Sequence, residues 1–166
     1  MSNIILIGMP GVGKSTVGVV LAKNLGYRFM DSDLVIQERE GRLLHEIISA
    51  EGTDGFLKIE DEVNASIEVD KTVIATGGSA IFGANAMEHF RQMGTVVYLS
   101  LPYDELAHRL GDLNERGVVL REGQTLRDLL EERKPYYEKY ADVTVDCHNK
   151  QIREIVAEVA GLHKKN

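Results

Sequence analysis

Gly8-Met9-Pro10-Gly11-Val12-Gly13-Lys14-Ser15 leads out of the apolar run Ile4-Ile5-Leu6-Ile7 and into a stretch with helical spacing over 14–25. The segment matches Gly-x-x-x-x-Gly-Lys-Ser in the setting that motif requires, a strand before it and a helix after it. Successive backbone N–H groups in such a turn form an anion-binding concavity, and the positive end of the following helix adds to it. Lys14 supplies a mobile charge for outer phosphates, and the Ser15 hydroxyl is a ligand for magnesium. Gly11, Val12, Gly13, Lys14, Ser15 and Thr16 are the expected contacts to a nucleotide. A chance glycine-rich turn between strand and helix would not need the Lys-Ser pair.

Working outward, further apolar runs at 27–30, 72–76, 95–99 and 143–146 are short and bounded by turn residues. With 3–7 they read as five strands buried on both faces. Between them, helical spacing covers 14–25, 34–51, 54–69, 83–93, 102–111, 124–140 and 149–162. Parallel neighbours cannot be joined by tight hairpins, so the alternation implies crossovers and a mainly parallel sheet with helices on both faces. The expected fold class is α/β, a three-layer α/β/α arrangement around a five-stranded parallel sheet. The 166 residues, with no linker or repeat, fit a single domain over 1–166. Only 111–123 lacks periodicity. It has glycine at both ends and Arg116 and Arg121 inside, the makeup of a flap over a site and equally of a plain surface loop.

Against 26 Asp+Glu stand 19 Lys+Arg, a formal net charge of −7. That balance opposes a broad grip on nucleic acid, so an anionic ligand must be met by local positive groups. Cys147 is the one cysteine, which rules out an intrachain disulfide and a multi-cysteine metal site and fits a reducing, cytoplasmic setting. The start runs directly into the first strand, so neither a secretion signal nor a membrane span is expected. The five histidines are scattered without metal-ligand spacing, and Cys147, Met9, Tyr136, Tyr137 and Tyr140 read as packing residues.

Two more turns fall at the same edge of the sheet. Asp31-Ser32-Asp33 follows the second strand, which places both carboxylates where ligands bind in open parallel sheets. We assign Asp31 to metal and Asp33 to a substrate hydroxyl; an N-cap for the helix beginning near Leu34 is the competing use. Gly77-Gly78-Ser79 follows the third strand. Its bare α-carbons let a ligand approach and its N–H groups can bind substrate oxygens, though a tight strand-to-helix turn needs the same residues. Arg116 is the preferred candidate to meet a transferring phosphoryl group. Arg133, in Arg133-Lys134-Pro135-Tyr136-Tyr137, could present a planar fork to a carboxylate, but on the residues alone an ordinary surface arginine ranks ahead.

In this order and over nearly the whole chain, Gly8–Ser15, Asp31-Ser32-Asp33, Phe56 with Glu60, Gly77-Gly78, Arg116 and Arg133–Tyr137 resemble the shikimate kinase family of P-loop kinases. The resemblance implies a lid that closes over ATP, magnesium, and phosphoryl transfer to a ring hydroxyl of a small acceptor. It also implies that Lys14, Asp33 and Arg116 are catalytic, that Asp33 orients the hydroxyl, and that Arg133 binds the acceptor's carboxylate. Gly77, Gly78 and Ser79 complete the acceptor site, and a monomer is expected.

Three departures touch the acceptor side and none the phosphate loop. Leu57 stands where the family's carboxylate-binding arginine is expected, Ser79 replaces a third glycine, and Arg116-Gly117-Val118-Val119 replaces Arg-Pro-Leu-Leu. Leucine for arginine removes a charge-assisted interaction worth roughly 1.5–3 kcal/mol. Lys58, about 100° further round the helix, is a poor stand-in. Shikimate or a related hydroxylated acid is therefore the expected acceptor. A different small acceptor, or a nucleotide-binding regulator derived from a kinase, is the alternative.

Overall fold

Asn3–Ile7 forms β1, buried along its whole length as a strand covered on both faces must be. The computed structural model describes residues 2–110 and 123–165. Within them β2 is Arg28–Asp31, β3 Thr72–Ala75, β4 Gly94–Ser100 and β5 Val143–Asp146. All pairings are parallel, in the order β2-β3-β1-β4-β5, with Ile5 opposite Ile74 on one side and Val96 on the other.

The helices are α1 (Lys14–Leu25), α2 (Ser32–Glu40), α3 (Leu44–Ala65), α4 (Ala84–Met93), α5 (Tyr103–Leu110), α6 (Leu126–Tyr140) and α7 (Ile152–Lys165), with a 3₁₀ turn at Ala80–Phe82. The connections β1→β2 and β3→β4 cross the sheet in opposite directions. Right-handed crossovers therefore put α1 and α4 on opposite faces, and the crevice between the two sets of connections opens at the strands' carboxyl ends. Packing agrees: α1 lies against α7, while α4 and α6 pack on β4.

The main core runs through β1, β3 and β4, with Val17, Leu21, Met87, Phe90 and Tyr137 arriving from the helices. A smaller cluster of Ile36, Ile47, Phe56 and Val63 ties α2 to α3, and Leu57 packs partly buried against it.

The five strands stand where the apolar runs place them, each within a residue or two. The expected helix over 34–51 does not. It is divided at Gly41, which takes the left-handed conformation (φ 64) and ends α2 through its N–H to the Gln37 carbonyl. α3 then starts at Leu44, where Glu46 accepts a hydrogen bond from the Leu43 N–H, and continues through a kink at Gly52 to Ala65. Apolar residues keep helical phase across 41–43, so periodicity hides a break that the backbone of one glycine makes. Among the described residues, no helix is long and apolar enough to cross a membrane.

Candidate active site

The loop leaving β1 turns onto α1 through Gly13, whose φ of 103 is in the region that favours glycine. Because Gly13 is the N-cap residue, no side chain caps α1, and no acid lies in its first turn. Its end is thus a bare set of N–H donors with a positive dipole, open to an anion. Lys14 folds back over the loop, its Nζ donating to the carbonyls of Gly8 at 2.6 Å and Met9 at 2.9 Å. With only 8% of its surface exposed, burial pulls its pKa down to about 7, against the upward pull of Asp33. A phosphate at this point would favour the charged form again. The side chain of Val12 turns into the core, leaving only backbone for a ligand.

Asp31 ends β2 and serves two purposes at once. One carboxylate oxygen accepts from the Asp33 N–H at 2.9 Å, capping α2, and the other lies 3.4 Å from the Ser15 hydroxyl. The cap and the metal assignment are therefore compatible, since each uses a different oxygen. Asp33, in the first turn of α2, has its pKa raised to about 6, first by burial and then by Asp31, with Lys14 opposing.

The glycines after β3 are required by what lies beside them. A Cβ on Gly77 would stand 2.6 Å from Oδ1 of Asp33 and 3.2 Å from Oε2 of Glu60; one on Gly78 would stand 2.6 Å from Nη1 of Arg133. The Gly78 carbonyl accepts from the Tyr137 hydroxyl at 2.8 Å, and Tyr137 stacks on Tyr98. Ser79 turns its hydroxyl inward to donate to Oε1 of Glu60 at 2.8 Å.

Arg133 corrects the ranking that its residue type suggested. It is 1% exposed, reaches from α6 beneath Gly78, and has its guanidinium 5.7 Å from the Phe82 ring centroid. A capping box, in which Thr125 and Asp128 exchange hydrogen bonds, fixes the start of that helix.

These groups line one cleft of about 390 Å³. Gly11, Gly13, Lys14, Ser15, Thr16, Asp31, Asp33, Gly77, Gly78, Ser79 and Arg133 all face it; Leu44, Phe56 and Glu60, brought by α3, complete the wall. Arg116 and Arg121, with 111–122, lie outside the described residues. Sequence reasoning misses one residue outright and leaves another, marked only by its place with Phe56, without a role. Arg109 of α5 donates to the Gly11 and Val12 carbonyls at 3.4 and 3.3 Å, buttressing the phosphate loop. Glu60 is a buried carboxyl whose pKa is pushed up to about 8 by burial, with the Ser79 hydrogen bond opposing. Nothing in the spacing of 60 and 79 announces that contact; the motif with Phe56 marks Glu60 without stating what it touches.

One cleft thus sets an anion-binding helix end and a lysine opposite a carboxylate, with a buried guanidinium beside it, and the family model described as shikimate kinase matches residues 10–162. The chain belongs to the shikimate kinase family. The shikimate kinase of Moorella thermoacetica is 35% identical over 95% of this chain and 91% of its own. That of Methylococcus capsulatus is 36% identical over 99% and 93%. Among solved structures, shikimate kinase from Acinetobacter baumannii in complex with shikimate superposes with a TM-score of 0.88 at 36% identity, covering 100% of this chain and 94% of that one. Family membership makes this chain an ATP-using phosphotransferase whose acceptor is an alcohol group.

Proposed function

We propose that this chain transfers the γ-phosphate of ATP to a ring hydroxyl of shikimate. The observation that carries the reading is Asp33 facing Lys14 and the uncapped start of α1 across a cleft in which Arg133 is buried. Its likeness to a relative solved with shikimate supports the choice of acceptor.

In this reading the loop N–H groups and Lys14 hold the outer phosphates. Asp33 orients the acceptor hydroxyl and takes its proton as the oxygen–phosphorus bond forms and the bond to the β-phosphate oxygen breaks, releasing ADP. A carboxylate with its pKa near 6 is still ionised at neutral pH and is a better matched base than an ordinary one. Arg133 clamps the acceptor's carboxylate. Arg116 and the segment 111–123 serve as lid and phosphate clamp. Ser15 and Asp31, whose oxygens lie 3.4 Å apart, form an oxygen donor pair that fits magnesium, with Asp31 acting through water; the ion would neutralise charge between the β- and γ-phosphates. We take the enzyme to be a cytoplasmic monomer of one domain.

Leu57, packed against the α2–α3 cluster, leaves the cleft one guanidinium short. That favours as second reading a related hydroxylated acid that binds its carboxylate through one guanidinium alone, with shikimate itself a poorer acceptor. Coupled ADP release with shikimate and a panel of hydroxy acids tests both. Turnover with shikimate is expected; flat traces with every acceptor would defeat the enzyme reading and leave a nucleotide-binding regulator.

A further inference from the structure

Glu60 is 2% exposed and lies at the acceptor side of the cleft. Its Oε1 accepts from Ser79, while Oε2 is buried with no hydrogen-bond partner among the described residues. The point a Cβ on Gly77 would occupy is bordered by that Oε2 and by Oδ1 of Asp33, so the two carboxyls flank the same small space. On α3, position 57 lies three residues before Glu60, one helical turn back on a neighbouring face. An arginine there could pair with Glu60; Leu57 offers nothing polar and packs into the α2–α3 cluster. Ser79, the other departure in this part of the sequence, supplies the missing hydrogen bond from the opposite wall.

We propose that Ser79 is a positioning residue of the acceptor site, holding the Glu60 carboxyl beside Asp33 and Arg133 in place of a guanidinium at position 57. The inference rests on the proposed function only for the identity of the acceptor.

The charge around the cleft explains why this matters. Lys14 and Arg133 are balanced by Asp31 and Asp33, and Glu60 is the fifth ionisable group lining it. The groups acting on Glu60 are Asp33 from α2, its neighbour Asp61 on α3, Ser79 after β3, and Arg133 from α6, where Tyr137 also feels it. Kept protonated, Glu60 leaves the charge of Arg133 to an acceptor carboxylate and offers its own O–H to a hydroxyl. Ionised, it adds a second negative charge beside Asp33 and opposes an anionic acceptor. Glu60 loses its proton near pH 8, so acceptor affinity is high below that pH and falls above it.

The test is the shikimate dissociation constant by calorimetry on the full chain with ADP present, from pH 6.5 to 9.5, roughly 1.5 pH units either side of the transition. It compares the unaltered protein with Ser79→Ala and Glu60→Gln. Ser79→Ala is expected to weaken binding roughly three- to tenfold at pH 7. It should also move the alkaline loss of affinity to higher pH, because the hydroxyl that steadies ionised Glu60 has gone. Glu60→Gln should abolish the alkaline loss. ADP affinity should stay within about twofold in both, since neither side chain touches the phosphate loop.

A merely structural Ser79 would lower affinity without moving the inflection, and that result overturns the proposal. So does a pH profile that Glu60→Gln leaves unchanged, which stands even if Ser79→Ala fails to fold. Binding does not depend on turnover: shikimate bound normally but never phosphorylated would end the functional reading alone, while no binding at all overturns both.

Discussion

Gly78→Ala adds one methyl group to a turn, and the structure says where that methyl goes. Neither Gly77 nor Gly78 has a positive φ, so alanine is allowed by the backbone and the effect is one of space alone. At 78 the new Cβ stands 2.6 Å from Nη1 of Arg133 and 2.9 Å from Cδ of Pro10. To reach the 3.4 Å of ordinary contact, the guanidinium must retreat by about 0.8 Å. Arg133 is walled in and cannot swing into solvent, so it shifts away from its position over the acceptor site. A charge-assisted pair of this kind contributes roughly 1.5–3 kcal/mol. At about 1.4 kcal/mol per tenfold, losing most of it raises the acceptor KM roughly 10- to 150-fold.

Gly77→Ala is the matched control. Its Cβ meets Oδ1 of Asp33 at 2.6 Å instead, displacing the group proposed to hold the reacting hydroxyl. A displacement of that size at the reacting atom costs on the order of 100-fold, and it should appear mainly in kcat. Both variants should fold, because overpacking costs about 1–3 kcal/mol and alanine recovers part of that from the unfolded chain. Steady-state ADP release at saturating ATP separates the two parameters. If Gly78→Ala left the acceptor KM within twofold, or if both variants lowered kcat alike with KM unchanged, the assignment of Arg133 and Asp33 to these turns would be refuted.

Lys14→Ala should lower turnover by at least about 100-fold and weaken ATP in calorimetry, with melting still cooperative; unchanged nucleotide affinity would remove the basis of the phosphate site. Leu57→Arg should pair with Glu60 and lower the shikimate KM by roughly tenfold; an unchanged KM would mean that the guanidinium cannot reach the cleft from α3. Thr125→Ala removes the hydroxyl that caps α6 and should lower Tm by about 2–4 °C in calorimetric scans, whereas an unchanged Tm would mean the cap is redundant. Cys147 is buried, and burial pushes its thiol up to about 11. It should label with a thiol reagent only on unfolding; rapid labelling of the folded protein would contradict its placement.

The α/β alternation, the five strands, the phosphate loop and the sheet edge on which the three turns converge are legible along the chain. These are local matters: buried parallel strands are short apolar runs, and an anion cradle is a run of backbone N–H groups spelled by glycines, lysine and serine. The remainder follows from how the elements pack. Whether Arg133 is a surface cation or a buried one depends on how α6 meets the 3₁₀ turn, which no spacing along the helix states. Glu60 and Ser79 are 19 residues apart and meet because α3 packs against the 3₁₀ turn that follows β3. The break at Gly41 escaped for the complementary reason: the apolar phase continues through it, and the stop is a backbone conformation rather than a change of pattern. Periodicity reports which face of an element is buried, while the chemistry of this cleft follows from which faces the sheet brings together.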